Sequence, residues 1–295
     1  MKRLALTQLI HWKNSKDRRP LLIRGARQVG KTHLLKTFGE QEYKNFFHFD
    51  FEKNKELKSY FEKDLSPNNI LSELSIRIGQ KIDPQTDLVI FDEIQECPRA
   101  LSSLKYFCED LPNLHLCCAG SLLGVKLSSE SFPVGNVEFL DLYPMNFEEF
   151  LLATQDQMAI ELFEKLCRTH QQTEASHQRL WKLFKQYSFV GGMPRVVNTY
   201  LATRNLDSFE ATTEVRKIQK DLVDSYHKDF AKHAGKINSM HIVSVFENVS
   251  MQLAKNLDGS VQRYRFRDVI PNKKSFADLQ GPIDWLEKAG LVIKV

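Results

Sequence analysis

The 295-residue sequence has no apolar run approaching the ~20 residues that a membrane-spanning helix requires, so no membrane segment is expected. It also lacks a secretory signal. Residues 1–20 carry too many charges, and Leu4, Leu6, Leu9, Ile10 and Trp12 are spaced as in a short amphipathic helix. Cysteine is sparse: five residues (Cys97, Cys108, Cys117, Cys118 and Cys167), an odd number with no C-x-x-C pair. That pattern argues against a disulfide framework and a zinc site. It predicts reduced thiols in a cytoplasmic protein, with Cys117 and Cys118 buried inside an apolar run. Nucleophile triads, clustered metal ligands, internal repeats and low-complexity tracts are missing as well. The net charge of +4 is too small to establish a nucleic-acid partner.

What is present is an alternation of short apolar runs and amphipathic stretches. Apolar segments 20–25, 46–51, 88–91, 114–119 and 137–142 read as five strands. Between them, Lys31–Phe38 reads as a helix stopped by Gly39. A second helix follows Ser66-Pro67 as cap and first residue, places Ile70, Leu71, Leu74 and Ile78 on one face, and ends at Gly79. A third starts at Pro98, with Leu101, Leu104, Phe107 and Leu111 inward. Strands that are apolar throughout, rather than at every second position, predict a parallel α/β sheet covered on both faces. From about Phe147 strand signals nearly vanish and amphipathic stretches dominate, at 156–169, 177–189, 206–229 and 238–256. The expected division is a core over 1–150, a helical lid over 151–203 and a helical C-terminal region over 204–295. In that last region Arg263, Arg265 and Arg267 alternate with Tyr264 and Phe266, which predicts a strand with a basic face. Ser275–Ala289 reads as a helix stopped by Gly290, and 291–295 as a final strand. An apolar final strand without a following partner predicts a fragment of a longer chain, unless it pairs elsewhere.

Residues 25–32 read Gly-Ala-Arg-Gln-Val-Gly-Lys-Thr, a complete G-x-x-x-x-G-K-[ST] between a strand and a helix. Glycines let such a loop curl its N–H groups around phosphate, and the helix N-terminus adds a favourable dipole. Gly25, Ala26, Arg27, Gln28, Val29, Gly30, Lys31, Thr32 and His33 are therefore the candidate nucleotide-binding residues. Lys31 is assigned to the β- and γ-phosphates and Thr32 to Mg²⁺. Asp92 and Glu93 end the apolar run Leu88–Phe91; Asp92 fits a second Mg²⁺ ligand and Glu93 the base that orients water. Ser121, after Ala119-Gly120, reads either as a γ-phosphate sensor or as a helix cap. Arg24 and Arg27 flank or occupy the loop, and Arg27 serves phosphate, a neighbouring subunit or an ion pair. Arg195, after Gly191-Gly192-Met193-Pro194, is a lid sensor or a surface residue. The 263–267 arginines with Lys273 and Lys274 either track a phosphate backbone or guard a sheet edge.

Five motifs in order, Arg24–Thr32, Phe91–Pro98, Ala119–Ser121, Tyr143–Leu151 and Gly191–Pro194, make the chain resemble the prokaryotic AAA-type ATPases that carry a C-terminal domain of unknown function. These are relatives of the STAND-like ATPases. The resemblance covers essentially the whole chain. It implies an AAA-like five-stranded core carrying the Walker A loop, a helical lid and a winged-helix-like C-terminal element. It implies ATP and ADP as ligands, Mg²⁺ as the ion, and Pro194 near the adenine. Many members have an arginine after the glycine before the fifth strand; here Asn136 follows Gly135, which places a subunit-bridging arginine there in doubt. The expected activity is that of a hydrolase converting ATP to ADP and phosphate with movement of the C-terminal domain. The alternative is a nucleotide-gated switch, adaptor or DNA-binding regulator with little hydrolysis. A protein partner, DNA and a homo-oligomer are the candidate associations.

Overall fold

A computed structural model describes residues 1–121, 135–204, 208–234, 236–254, 263–271 and 273–294. The strands are β1 (Leu21–Gly25), β2 (Phe46–Asp50), β3 (Leu88–Asp92), β4 (His115–Ser121) and β5 (Glu138–Asp141). All pair in parallel in the order β2-β3-β4-β1-β5, so β4 lies between the P-loop strand and the Asp92 strand. Helices α1 (Ala5–Lys13), α2 (Lys31–Glu42), α3 (Pro67–Ile78) and α4 (Pro98–Asp110) supply the crossovers and covers.

The continuous apolar strands bury both faces. Leu22, Val89, Phe91, Leu116 and Cys118 pack with residues of α3 and α4. Leu21, Ile23, Leu88, Ile90, Cys117 and Ala119 pack with α1 and α2 on the other side. The adjacent thiols thus enter opposite layers, and burial pushes both up. Phe91 anchors one layer, with the rings of Phe49, Phe51, Phe61 and Phe107 at 6.2, 5.6, 5.8 and 6.0 Å, mostly edge-on. The residue after it is Asp92, so this aromatic packing fixes the strand end that carries the carboxylate.

Two local expectations are corrected. Gly39 does not stop its helix; α2 continues to Glu42, and Gly39 is buried where a Cβ would meet the Phe46 ring at 2.6 Å. Contact with the start of β2, rather than termination, explains the glycine. Ser66 precedes α3 but its side chain makes no cap bond. Asp64 occupies that end instead, accepting from the Ser66 N–H at 2.9 Å.

After β5 come α5 (Phe147–Thr154), α6 (Gln157–Thr169), α7 (Glu174–Val190) and α8 (Pro194–Thr203), then α9 (Ser208–Ala234), α10 (Lys236–Ala254) and α11 (Phe276–Lys288). The chain divides into two compact units, Met1–Val215 and Arg216–Val295. The second unit has its own core, with Phe230, Ile242, Val245, Leu279 and Leu286 at its centre. The strands expected at 263–267 and 291–295 are absent from the described residues there, where one isolated antiparallel bridge joins Ile270 and Lys273. Tyr264, Phe266, Leu291 and Val292 pack instead, partly buried, against the helical core. An alternating pattern makes a strand only when a partner strand receives it. Pro282 lies inside α11 and cannot bond the Asp278 carbonyl; the Lys273 ammonium donates to that carbonyl at 3.2 Å.

Candidate functional site

The carboxyl ends of β1, β4 and β3 lie side by side, the place where open parallel sheets bind ligands. Gly25 is in register with Ser121, and Asp92 with Asp50. The loop 26–30 leaves β1 and enters α2 with positive φ at Gln28 (63°) and Gly30 (101°). A change of backbone hand of this kind turns successive N–H groups to one side and forms an anion-binding concavity. Ala26 and Val29 are buried, so the loop is rooted in the core, whereas Arg27, Gln28 and His33 are exposed. Gly25 is required by close approach: a Cβ there would meet the Leu142 carbonyl oxygen at 2.2 Å.

Lys31 is buried at the base of the loop, donating to the carbonyls of Gly25 at 3.1 Å and Ala26 at 3.0 Å. Burial pulls its pKa down and nearby Arg27 adds to this, while Glu93 and Asp92 oppose. Thr32 lies beside Asp92 and helps to lower its pKa. Asp92 also contacts His48 Nε2 at 2.9 Å and accepts from the Glu93 N–H at 3.0 Å. Burial works to raise the Asp92 carboxyl, yet His48, Thr32 and the Glu93 amide outweigh it, and the pKa falls below the usual value. Glu93 behaves oppositely. Burial raises its pKa, against a hydrogen bond from Gln95 and the charge of Lys31. Two adjacent carboxyls are thereby pushed apart, one held ionised and one more ready to take a proton. Glu93 also has positive φ (49°), a conformation that strains a non-glycine residue and turns the chain into a 3₁₀ segment, Ile94–Glu96.

The helices after β5 approach the same loop. Pro194 opens α8, and a Cβ on Gly30 would lie 3.6 Å from Pro194 Cγ and 3.5 Å from Arg3 Nη1. This approach depends on Gly192, whose carbonyl accepts from the Met145 N–H at 2.7 Å while Tyr187 Oη donates to the Met145 carbonyl at 2.9 Å. Arg3 is buried and spans three segments. Its guanidinium donates to the Val29 carbonyl at 2.9 Å, the Tyr143 carbonyl at 2.6 Å and Glu149 Oε1 at 3.0 Å. Glu149 completes a capping box with Asn146 at the start of α5.

The structure thus brings together Lys31, Thr32, Asp92, Glu93 and the strand end bearing Ser121, with Pro194 against Gly30. Arg24 belongs to a different setting: it pairs in bidentate fashion with Asp141 at 2.9 and 2.8 Å and lies 4.0 Å from the Phe139 ring centroid. Asn136 donates to Glu109 at 3.0 Å. Sequence reasoning missed His48, Gln95 and Arg3. The signal for His48 was a lone imidazole in an otherwise apolar strand; Gln95 and Arg3 gave none, because their partners are set by the fold. Among the described residues, no group of three or more His, Cys, Asp or Glu side chains is placed to hold a metal ion. None of their helices is long and apolar enough to cross a membrane.

Residues 17–151 match the AAA domain family, and residues 182–295 match a domain of unknown function (DUF8612). No curated protein matches the chain. Among solved structures, a Walker-type ATPase of Pyrococcus abyssi is similar at a TM-score of 0.58 and 16% identity, over 100% of this chain and 91% of that one. A signal-transduction ATPase with numerous domains (STAND) from Pyrococcus horikoshii, which carries a tetratricopeptide-repeat sensor, matches at a TM-score of 0.37 and 14% identity, over 100% of this chain and 40% of its own length. The first of these likenesses supports the fold, a parallel five-stranded P-loop sheet followed by helices. The matched AAA domain, the Walker A loop and the C-terminal match agree with the resemblance of this chain to the AAA-type P-loop ATPases that carry a C-terminal domain of unknown function.

Proposed function

We propose that the chain binds ATP with Mg²⁺ and hydrolyses it to ADP and phosphate, with water as the nucleophile. The observation that carries this reading is the placement of Glu93 beside the Thr32–Asp92 pair, at the mouth of a loop that buries Lys31. A P-loop alone accounts for phosphate binding; an adjacent carboxyl with a raised pKa supplies a group that can orient water and accept its proton.

In this reading Lys31 exchanges its bonds to the Gly25 and Ala26 carbonyls for β- and γ-phosphate oxygens. The exchange is favourable because the buried ammonium gains charged acceptors in place of neutral ones. Backbone N–H groups of 26–33 hold the remaining phosphate oxygens. The ion fits the donor set: the Thr32 hydroxyl and the Asp92 carboxylate are hard oxygen ligands, and such sites hold Mg²⁺ with few protein ligands plus substrate phosphates. Bound Mg²⁺ supplies neutralisation of the charge on the β- and γ-phosphates. His48 and the Glu93 amide keep Asp92 ionised and oriented. Glu93 orients the attacking water and takes its proton as the bond from the γ-phosphorus to the bridging oxygen breaks. Ser121, beside Gly25, is assigned to the γ-phosphate, and Pro194, beside Gly30, to the base. Arg27, Gln28 and His33 rim the loop and line the entry. Movement of the C-terminal unit with the nucleotide state is the second element of the proposal.

Steady-state phosphate release tests the reading. Turnover in the wild type, its loss in Glu93→Gln with ATP binding kept, and weakened binding in Lys31→Ala support hydrolysis. Charge-assisted bonds of roughly 1.5–3 kcal/mol set the Lys31 effect at about 10- to 100-fold in Kd. Tight ATP binding with no turnover refutes hydrolysis and leaves a nucleotide-gated switch. Hydrogen exchange in 216–295 that is identical with ATP, ADP and no nucleotide refutes the coupled movement.

A further inference from the structure

Gln95 follows Glu93 by two residues, and its side-chain amide uses both of its ends. Nε2 donates to Glu93 Oε2 at 2.5 Å, and Oε1 accepts from the Ser121 N–H at 3.3 Å. The partners fix the orientation of the amide. A carboxylate only accepts and a backbone N–H only donates, so the flipped amide would face oxygen with oxygen and N–H with N–H. The turn that presents Gln95 is itself closed by the Glu96 N–H to the Glu93 carbonyl at 2.9 Å and the Cys97 N–H to the Ile94 carbonyl at 3.0 Å. Adjacent parallel strands β3 and β4 are in register at Phe91 and Cys118; β4 ends at Ser121, and Glu93 directly follows the end of β3.

We propose that Gln95 is a positioning residue: it holds the Glu93 carboxylate against the end of β4 and transmits displacement of Ser121 to Glu93. The proposal rests on the hydrolysis reading above. Ser121 lies beside Gly25, where the phosphate loop begins, so a shift at the end of β4 on occupation of the loop changes the Gln95 acceptor bond. The same amide then moves or releases the carboxylate that orients water. Few side chains can replace it. Glutamate presents an oxygen to Glu93 and loses the donor; methionine keeps the length and loses both bonds.

The test uses the full chain with ATP and Mg²⁺ and measures kcat, the Kd of a non-hydrolysable ATP analogue and the melting temperature. Gln95→Ala and Gln95→Met are expected to lower kcat by about 10- to 100-fold, the size of effect that misplacing a catalytic group by ~1 Å produces. Analogue Kd should stay within about twofold, because no phosphate contact is removed. Gln95→Glu should lower kcat at least as far. In a Glu93→Gln background, Gln95→Ala should change the residual rate no further, since it acts through Glu93. An unchanged kcat in both Gln95→Ala and Gln95→Met overturns the proposal. So does a parallel loss of kcat, affinity and melting temperature in the isosteric variants, or effects that multiply in the double variant. A wild type that binds the analogue without turnover overturns the hydrolysis reading together with this one, and is recognised from the wild type alone.

Discussion

Gly192→Ala is a one-atom perturbation with a calculable consequence. A Cβ at Gly192 would lie 2.0 Å from the Met145 carbonyl oxygen and 2.9 Å from both its carbon and its nitrogen. All three are backbone atoms just before α5, so no side-chain rotation relieves the clash. Restoring even a 3.0 Å separation requires the two segments to part by about 1 Å, which stretches the 2.7 Å bond from the Met145 N–H to the Gly192 carbonyl beyond use. Overpacking costs ~1–3 kcal/mol and the lost bond ~1 kcal/mol, together ~2–4 kcal/mol against the docked position of the α8 N-terminus. Pro194 moves with that turn, away from Gly30. If nucleotide binds the docked arrangement, 2 kcal/mol appears as up to about 30-fold weaker binding. Equilibrium titration with a fluorescent ATP analogue, read beside thermal unfolding, measures both quantities. A Kd within twofold of wild type refutes the role of this contact in nucleotide binding. An unchanged Kd with an unchanged melting temperature refutes the close approach itself.

Three other perturbations test separate parts of the structure. His115 packs against Trp12 and Tyr43 with its Nδ1 buried and unpartnered among the described residues, and burial, with Arg18 and Lys13 nearby, pulls its pKa from 6.5 to about 4. The unfolded chain therefore binds the extra proton between those values, and stability falls as pH drops from about 6.5 toward 4; a gap worth ~3 kcal/mol at full burial is reduced by solvent screening to on the order of 1–2 kcal/mol. Denaturant titrations at pH 7 and pH 4.5 should show a smaller pH difference for His115→Leu than for wild type, and equal differences would refute the assignment. Arg3→Met leaves the buried Glu149 carboxylate without its counter-ion, held only by the Leu4 and Asn146 N–H groups, and should cost up to about 3–5 kcal/mol in urea unfolding, with Arg3→Met/Glu149→Met costing less than the sum of the single variants. Gly281→Ala lies inside α11, where the added methyl meets no atom within 4 Å beyond its chain neighbours and its own helix backbone; the ~0.5–1 kcal/mol gain in helix propensity is opposed by the ring of Pro282, which disfavours a helical residue before it, so stability in urea should change by less than ~0.5 kcal/mol, and a larger rise would contradict this balance.

The parts of the site that were legible in the sequence are those whose chemistry is local. Gly25 to Thr32 requires only a strand, a tight loop and a helix, and all three are consecutive. The apolar run into Asp92 and Glu93 is equally local, and outside the site so are the helix from Ser275 and its stop at Gly290. The failures have a common cause. Gly39 looks like a helix stop, yet what it meets, the Phe46 ring, is set by a segment that the chain brings back later. Alternation at 263–267 suggested a strand because the pattern describes a face. Whether a second strand lies beside that face is a tertiary fact, and in the described residues the rings turn to the helical core instead.

The same distinction separates the groups that do chemistry from those that hold them. Lys31, Thr32, Asp92 and Glu93 are fixed by residue type, because few side chains offer an ammonium, a hydroxyl or a carboxylate at the right place. Arg3, His48 and Gln95 are fixed by reach. Arg3 donates to the Val29 carbonyl from a position 26 residues away and pairs with Glu149 at a separation of 146 residues. The bond to Val29 belongs to the loop 26–30, and the bond to Glu149 belongs to α5. One guanidinium therefore fixes the loop and the start of α5 to each other through the N-terminal segment, and displacement at either end strains the other. Deleting residues 1–4 should loosen the loop more than the sheet: nucleotide affinity should fall while β3 and β4 amides keep their exchange protection. Equal loss of protection in strands and loop would show that the segment merely stabilises the whole unit.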